Sequence, residues 1–379
     1  MVSDFHEKQF DESTTLKLAV FRGYIREWIP VFLTQTTKGS ARKRNVNILD
    51  FFSGPGQDAS GNPGSPMIIL GEMKKYCEER KDLRDKHVSI NIVFNDIDKD
   101  NITRLKCLAE REACKAGCCT IKYSADHFDN ALASYLDLMK RTDSANLVIL
   151  DPFGVKNITL EVVRRLAEIP TTDLMIFSPS SFIKRFAEDP ALRAHLAIAE
   201  EDLKQTEYKK IHRLICQYLR QAVHPSYFVA PFSIKKGANI YGIIFGSNSL
   251  KGLEKFLKVC WTLDPCTGES NYDIDDDPIR VSNQLWLDPA ENNPKKMNSF
   301  DNELREFLAE DERDNREVYR FVLEKGFVPK LAAEILDRWQ KDGSLRVASI
   351  VPAKTVRKGC YYLSYDHYKA DSPRVRFHI

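Results

Sequence analysis

Residues 46–56 have the sequence VNILDFFSGPG, a mostly apolar run that ends on Asp50 and continues into a loop with Gly54 and Gly56. Such a run predicts a buried strand. Glycine lets the backbone of the following turn approach a bound molecule without a Cβ in the way. Ligands of open α/β sheets bind outside the carboxyl ends of the strands, so this stretch predicts a ligand-binding loop there.

Strand and helix patterns alternate along the next part of the chain. After a helix for which Ser65 is the predicted N-cap, strands are predicted at residues 87–94, 119–124, 147–150 and 173–177. Helical patterns between them are typical of parallel βαβ units. A helical insertion follows at about 183–222, and then strands at 227–232 and 240–245 that are close enough for an antiparallel hairpin. The predicted fold class is therefore α/β, a Rossmann-like class I methyltransferase sheet whose parallel strands are closed by an antiparallel hairpin.

The C-terminal part of the chain predicts a separate small domain. A linker is expected at residues 289–294, followed by helices at 303–310, 318–324 and 329–341. Strands at 345–349 and 360–364 would form a hairpin around the basic residues 354–358. Three helices and a two-stranded wing predict a winged-helix-like α+β domain at 295–370, with the methyltransferase-like domain at 1–288. Wings often contact phosphate backbones, although winged helices also bind proteins.

Composition narrows the class of protein without naming a partner. The 379 residues carry a net charge of +2, which neither requires nor excludes a nucleic-acid partner. No run of eighteen apolar residues is present, and the N-terminus lacks the pattern of a secretory signal. Nine cysteines, an odd number, suit a reducing compartment. A cytoplasmic protein without a membrane segment is expected.

The loop after the first strand favours S-adenosylmethionine as the cofactor. Asp50 can pair with the cationic amine of its methionyl group, and Phe52, Gly54 and Gly56 would line the pocket. The stretch also fits the G-x-G-x-x-A fingerprint of dinucleotide sites, which needs a helix at once and an acid about 20 residues later. Here Asn62-Pro63-Gly64 prevents an early helix, and the next acid at a strand end is Asp96. A turn that merely contains glycines is the remaining alternative.

Acidic residues also follow the second and third strands. Asp96 is predicted to accept hydrogen bonds from both ribose hydroxyls, while Asp98 would cap the next helix. Asp126 is placed to accept a hydrogen bond from the adenine amine, or else to cap the helix that follows it. His127 is predicted beside it as a further cofactor-binding residue.

The fourth strand ends in Asp151-Pro152-Phe153-Gly154, which resembles the D-P-P-Y loop of methyltransferases that act on exocyclic amines. In such a loop the acid accepts a hydrogen bond from the target amine and the aromatic ring stacks on the base. Asp151, Pro152 and Phe153 are therefore the predicted catalytic residues, with an ordinary turn at a strand end as the alternative. Ser178 and Arg185, after the fifth strand, would line the substrate cleft, unless the serines there only cap a helix.

The cysteines do not predict a metal site. Cys107, Cys114, Cys118 and Cys119 lie close together in sequence but lack the paired C-x2-C spacing of structural zinc sites. Cys107 and Cys114 share one helix face, which is typical of core packing. No metal is therefore expected.

With these motifs in place, residues 1–290 resemble the three-Cys-motif partner protein family. The resemblance rests on Lys17 in the leading helix, the loop at 50–56, Gly64-Ser65-Pro66, the stretch 150–154, and Arg185. The resemblance implies a methyltransferase-like fold. It also implies that the gene lies in a phage-related or defence gene cluster. It also implies a partner protein encoded nearby, a radical S-adenosylmethionine-type enzyme that carries the three cysteines.

Three functions follow from the sequence. The first is methyl transfer from S-adenosylmethionine to an exocyclic amine of a nucleic acid or nucleotide. The alternative is a non-catalytic, cofactor-binding partner subunit whose winged helix recruits nucleic acid or a protein. A methyltransferase for small molecules or proteins is the third.

Overall fold

The computed structural model describes residues 10–34, 43–79, 87–112, 119–152, 158–186, 188–189, 197–277, 293–350 and 356–379. The predicted catalytic residue Phe153 and the predicted wing residue Lys354 lie outside the described residues. The chain divides into two compact units, Met1–Lys255 and Phe256–Ile379. The predicted division at 288 and 295 differs from this boundary by about thirty residues and stays a prediction.

The described residues of the first unit form a seven-stranded sheet in the order β3-β2-β1-β4-β5-β7-β6. Its strands are β1 (Asn45–Asp50), β2 (Ser89–Asn95), β3 (Thr120–Ser124), β4 (Ser144–Leu150), β5 (Thr172–Ser178), β6 (Phe228–Lys236) and β7 (Asn239–Ser247). The first five are parallel to one another, and β7 runs antiparallel to both β5 and β6. This is the predicted topology, with parallel strands closed by one hairpin.

Burial explains why the central strands were recognisable from the sequence. Every residue of β4 is buried, as expected for an interior strand that is covered on both faces. The β6–β7 hairpin is longer than predicted, because its strands extend to a turn at Gly237, whose φ is 55°. The carboxyl ends of β1 to β5 meet at one edge of the sheet, called the carboxyl edge below.

Helices cover both faces of this sheet. They are α1 (Glu12–Leu33), α2 (Ser65–Glu79), α3 (Lys99–Glu112), α4 (Phe128–Lys140), α5 (Leu160–Ala167), α6 (Ser180–Arg185), α7 (Glu200–Gln205) and α8 (Ile211–Ala222). The next helix, α9 (Leu250–Leu263), contains the boundary between the two units. One apolar core joins the sheet to α4, α5 and α8. Helix α1 packs against α2 and is tied to the sheet by Asp173, which accepts hydrogen bonds from Tyr24 Oη at 2.7 Å and Trp28 Nε1 at 2.9 Å.

The second unit contains three longer helices and a small sheet. These elements are α10 (Lys295–Glu310), β8 (Arg313–Asp314), α11 (Asn315–Glu324), α12 (Pro329–Asp342), β9 (Arg346–Ser349), α13 (Tyr365–Tyr368) and β10 (Val375–His378). Helix α11 begins with a capping box formed by Asp314 and Glu317. A shared apolar core around Trp339 and Phe377 holds the helices and the sheet together.

The predicted pairing of the wing is wrong. Strand β9 pairs antiparallel with β10 at residues 375–378, and residues 360–364 form no strand. The reason is burial: β10 alternates Val375 and Phe377, both fully buried, with outward polar residues. Tyr361 is instead buried in the core, where its ring stacks on that of Phe377 with the centroids 6.3 Å apart, and its hydroxyl donates to Gln340 Oε1 at 3.1 Å.

Candidate functional site

The loop after β1 is shaped by two glycines with left-handed backbone. Gly54 has a φ of 60° and Gly56 a φ of 91°. A Cβ on Gly56 would lie 2.7 Å from Leu105 Cδ1, which is too close for any real contact. The amide of Gly64 donates to Gly56 O at 2.8 Å and closes the loop, and α2 begins only at Ser65. The glycines are therefore required by the backbone itself.

Asp50 is fully buried beneath this loop. Its Oδ2 accepts a hydrogen bond from Ser65 Oγ at 2.6 Å, and its Oδ1 accepts one from the Phe52 amide at 3.3 Å. Ser65 was predicted to cap α2, but its hydroxyl is directed to Asp50 instead. Burial, together with the nearby charges of Asp151 and Asp96, raises the pKa of Asp50 to about 7, against the hydrogen bond from Ser65.

Asp96 joins the end of β2 to the glycine loop. Its Oδ2 accepts from the Gly54 amide at 2.9 Å, and its Oδ1 accepts from the Asp98 amide at 2.9 Å. The side chain of Asp98 is exposed and accepts from the Asp100 amide at 2.8 Å, as a helix cap does. Asp98 therefore follows the capping interpretation. Asp96 lies at the carboxyl edge beside Gly54, where the predicted ribose would be bound.

Asn95 is a residue that the sequence reasoning missed. It is buried at the end of β2, and its Nδ2 donates to Phe51 O at 3.2 Å and Asp126 O at 3.1 Å. Its Oδ1 accepts from Ser124 Oγ at 2.7 Å. One side chain thus connects the turns after three neighbouring strands. Its position directly before Asp96 was the only signal available in the sequence.

Asp126 and His127 follow β3 and are both exposed. His127 occupies the N-cap position of α4 and makes no side-chain capping bond. Behind them the Phe52 ring stacks on Phe128, with centroids 5.3 Å apart. The predicted adenine-binding residues therefore border an aromatic pair.

Asp151, at the end of β4, forms an ion pair with a residue from α1. Lys17 Nζ lies 2.6 Å from Asp151 Oδ2 and also 4.4 Å from the centroid of the Phe177 ring. The side chains of Lys17 and Asp151 are 13% and 22% exposed, so the pair is accessible from one side. Pro152 next to it is buried. The pairing connects two residues 134 positions apart, and the sequence reasoning had noted Lys17 only as a mark of resemblance.

The predicted substrate residues lie after the neighbouring strand. Ser178 ends β5 and is buried, whereas Arg185 is exposed and its Nη2 donates to Asn239 Oδ1 at 3.2 Å. Helix α6 has Pro179 at its N-cap without a side-chain bond, and Ser181 Oγ donates to Ile240 O at 2.9 Å. The serines therefore do not cap α6.

The start of α1 reaches the glycine loop as well. The Phe10 amide donates to Asp58 Oδ2 at 2.6 Å, and Asp58 also accepts from the amides of Ser60 and Asn62. Asp58 thus fixes the far end of the loop and attaches it to the beginning of α1. The sequence reasoning missed this residue, although an aspartate beside Ser60 and Gly61 is typical of such turns.

A cavity of about 600 Å³ lies between residues 55–59 of the loop and one face of α3 that carries Arg104, Cys107 and Arg111. Neither Asp96 nor Asp126 is among its lining residues, so it is a neighbour of the predicted cofactor position. Among the residues that the structure describes, no cluster of His, Cys, Asp or Glu could hold a metal ion. No helix in the described ranges is long and apolar enough to cross a membrane.

A family model for a GMT-like wHTH domain matches residues 271–349. Among solved structures, the chain is similar to Trm1 from Pyrococcus horikoshii in complex with S-adenosyl-L-methionine, at 13% identity and a TM-score of 0.37, over 65% of this chain and 59% of that one. No curated protein matches the chain in sequence.

Two further structures are similar at the same low level. A spermidine synthase in complex with the transition-state analogue AdoDATO is 12% identical with a TM-score of 0.32, over 65% of this chain and 63% of that one. A SAM-dependent methyltransferase from Methanosarcina mazei is 12% identical with a TM-score of 0.29, over 55% of this chain and 94% of that one. The chain thus spans less than two thirds of the Trm1 and spermidine synthase chains.

The predicted fold class is confirmed in both of its parts. The sheet order and the antiparallel β7 give the first unit a Rossmann-like methyltransferase fold. A winged-helix domain follows at residues 271–349.

Proposed function

We propose that the chain is an S-adenosylmethionine-dependent methyltransferase whose acceptor is an exocyclic amine of a nucleic acid or nucleotide. The observation that carries this proposal is the acidic character of the carboxyl edge. Asp50 is the last residue of β1, and Asp96, Asp126 and Asp151 follow β2, β3 and β4 at the same edge. S-adenosylmethionine carries a sulfonium and an ammonium group against a single carboxylate, so its charge complements this edge.

The same observation argues against a dinucleotide. A pyrophosphate binds well at the N-terminus of a helix that starts directly after the glycines. Here α2 starts only at Ser65, eleven residues after Gly54 along the chain, and the Gly64 amide directly before it is already bonded to Gly56 O at 2.8 Å. In its ionised form, the buried Asp50 beneath the loop would also repel an anion. A cation above the loop would instead favour the ionised form of Asp50, whose pKa burial raises to about 7.

Each carboxylate has a separate task in this proposal. Asp96 would hold the ribose and Asp126 would face the adenine, while Gly54 and Gly56 leave the loop backbone open to the nucleoside. The bound cofactor supplies a methyl group that the sulfonium has already activated. Because that activation is complete, positioning of the acceptor is the main contribution left to the protein.

Asp151 is the residue that would position the acceptor. Lys17 engages its Oδ2, and no described residue is placed to donate to its Oδ1. That oxygen could accept a hydrogen bond from the acceptor N–H, which directs the nitrogen lone pair toward the methyl carbon. As the new N–C bond forms and the S–C bond breaks, the carboxylate can take the proton that the nitrogen loses.

The second candidate is a cofactor-binding subunit without catalysis, as the predicted resemblance to three-Cys-motif partner proteins implies. The Lys17–Asp151 ion pair favours it, because Lys17 already neutralises the carboxylate on which an acceptor would depend. In that case the cofactor would support the structure, and the winged helix would recruit nucleic acid or a protein such as a radical S-adenosylmethionine-type enzyme.

Two measurements, made one after the other, test the proposal. Calorimetry with S-adenosylmethionine, and separately with NAD, should show binding of the former alone. Methyl-labelled cofactor is then incubated with separate pools of DNA, RNA, nucleotides and lysate protein, and label is expected in a nucleic-acid or nucleotide pool. Absence of cofactor binding would overturn both candidates. Binding without label in any pool would support the non-catalytic subunit, and label in protein alone would exclude the proposed acceptor.

A further inference from the structure

Charge is unevenly distributed within the second unit. Residues 343–379 contain seven Lys and Arg against two Asp and Glu, whereas residues 256–342 contain twelve against twenty. The helices α10 to α12 belong to the acidic part, and the strands β9 and β10 belong to the basic part. In a domain that contacts a polyanion, the basic part is the expected contact surface.

The basic residues of β9 and β10 share one face of the small sheet. His378 is paired with Arg346 and Arg376 with Ala348 in the antiparallel ladder, and directly paired residues project to the same face. Val375 and Phe377 alternate with them and point into the core. Arg374, directly before β10, is exposed as well. We call the surface formed by Arg346, Arg374, Arg376 and His378 the wing face.

The acidic neighbours of the wing face lie on its β8 side, where Asp314 is the direct ladder partner of Arg376 and accepts hydrogen bonds from the amides of Arg316 and Glu317. Glu312 pairs with Arg376 Nη1 at 2.6 Å and lies 3.3 Å from His378 Nε2. Within the described ranges, no carboxylate lies at ion-pair distance from Arg346 or Arg374. Two guanidinium groups are therefore available to an external anion, and guanidinium binds phosphate oxygens in a bidentate geometry.

Helix α12 presents the opposite situation. In helix-turn-helix domains the helix at this position, directly before the wing, enters the major groove. Here its exposed cations are neutralised: Lys341 pairs with Asp337 at 2.6 Å, Lys330 with Glu334 at 4.0 Å, and Arg338 with Asp301. The acids of these pairs would lie against the phosphates of any duplex that received the helix, and would repel them.

We propose that the wing face binds the phosphodiester backbone of a nucleic acid and that α12 does not read bases. The inference goes beyond methyl transfer and does not depend on it, because every contact used belongs to the second unit. Phosphate binding by Arg346 and Arg374 would be independent of base sequence and sensitive to salt. It would hold a nucleic-acid substrate on the protein without selecting a sequence.

The test measures binding of the full chain to fluorescently labelled oligonucleotides by anisotropy, at salt concentrations from about 50 to 200 mM. Duplex DNA, single-stranded DNA and RNA are used in separate arms to identify the source of the phosphates. The wing variant Arg346→Ala/Arg374→Ala is compared with the α12 variant Lys330→Ala/Lys341→Ala, which removes the same charge from the same unit. Arg346→Lys/Arg374→Lys retains the charge and serves as the conservative variant.

We expect the wing variant to bind more weakly and to reduce the slope of log affinity against log salt by about 2 for duplex DNA, since each phosphate contact contributes about 0.9. The α12 variant should bind like the wild type, and the conservative variant should restore most of the slope. An equal or larger loss in the α12 variant would overturn the proposal, as would failure of the wild type to bind any of the three oligonucleotides. Cofactor binding, measured on the same preparations, should be unchanged in all variants, so that failure here is distinguishable from failure of the proposed function.

Discussion

The carboxylates on the two sides of the carboxyl edge are held in different ways. On the side where the cofactor is proposed to bind, called the cofactor side below, Asp50 and Asp96 accept hydrogen bonds from the glycine loop and adjacent turns, and among the described residues no cation pairs with either. On the acceptor side, Asp151 is paired with Lys17 from α1. On the first side a bound cationic cofactor would favour the ionised form of Asp50, whose pKa burial raises to about 7, whereas on the second side Lys17 already balances the charge of Asp151.

Replacing Asp151, on the acceptor side, should have the largest effect, which is a loss of methyl transfer. Asp151→Asn keeps the size of the side chain but removes the charge that positions and deprotonates the acceptor. Methyl transfer should fall by about 100-fold or more, which is the usual contribution of a positioned acid or base. Cofactor affinity, measured by calorimetry, should be unchanged. Asp129→Asn, an exposed position in α4, is the control and should keep full turnover, whereas normal transfer in Asp151→Asn would remove Asp151 from the mechanism.

The buried carboxyl of Asp50 should make stability depend on pH. Its pKa is 3.8 in the unfolded chain and about 7 in the folded protein, so the folded state binds the proton more tightly. The stabilisation is therefore complete below pH 4 and is lost as the pH rises toward 7. Relative to Asp50→Asn, the wild type should lose on the order of 4 kcal/mol over this window.

Urea unfolding of both proteins at a series of pH values measures this difference. Asp173→Asn is a useful comparison, because burial raises the pKa of Asp173 only to about 6. The stabilisation by its protonated carboxyl should therefore be lost at a lower pH than that by Asp50. Saturating S-adenosylmethionine should reduce the loss in the wild type, since a bound cation favours the ionised carboxylate. If the unfolding free energies of the wild type and Asp50→Asn changed in parallel with pH, the pKa of Asp50 would not be raised by folding.

Gly56 tests whether the loop backbone is needed on the cofactor side. Gly56→Ala places a Cβ at 2.7 Å from Leu105 Cδ1 on a backbone with a φ of 91°. The variant should lose about 2 kcal/mol of unfolding free energy, because both the left-handed backbone and the overlap are unfavourable. Cofactor affinity should fall as well. Gly71→Ala is the matched control: nothing lies near its Cβ, and a helical alanine should stabilise the protein slightly. Equal melting temperatures for the two variants would contradict the structure of the loop.

The two sides also differed in how far the sequence could predict them. The apolar run before Asp50 and the two glycines are local signals, and the structure has the expected strand and turn there. The same holds for β4, whose apolar residues leave no alternative to a buried strand. Local patterns therefore predicted the sheet and the place of the glycine loop.

The contacts that the sequence did not predict join elements that are far apart along the chain. Lys17 and Asp151 are 134 residues apart, and no local pattern indicates their pairing. The wing was assigned to the wrong strand because two segments competed for β9, and only the fully buried Val375 and Phe377 decide between them. Ser65 had the right residue type for a cap, but Asp50 provided a better acceptor.

The smallest expected effect separates two aspartates on the cofactor side that are two residues apart. Asp96→Asn keeps an acceptor for the Gly54 amide but removes the charge that strengthens hydrogen bonds to the ribose hydroxyls. Cofactor affinity should fall by about tenfold, which corresponds to about 1.4 kcal/mol. Asp98→Asn changes the same residue type at an exposed helix cap, and calorimetry should show wild-type affinity. Equal losses of affinity in both variants would mean that cofactor binding depends on negative charge near the carboxyl edge and not on contact between Asp96 and the ribose. Because Asp96 also holds the loop, a melting temperature like that of the wild type is needed before weaker binding is assigned to the ribose.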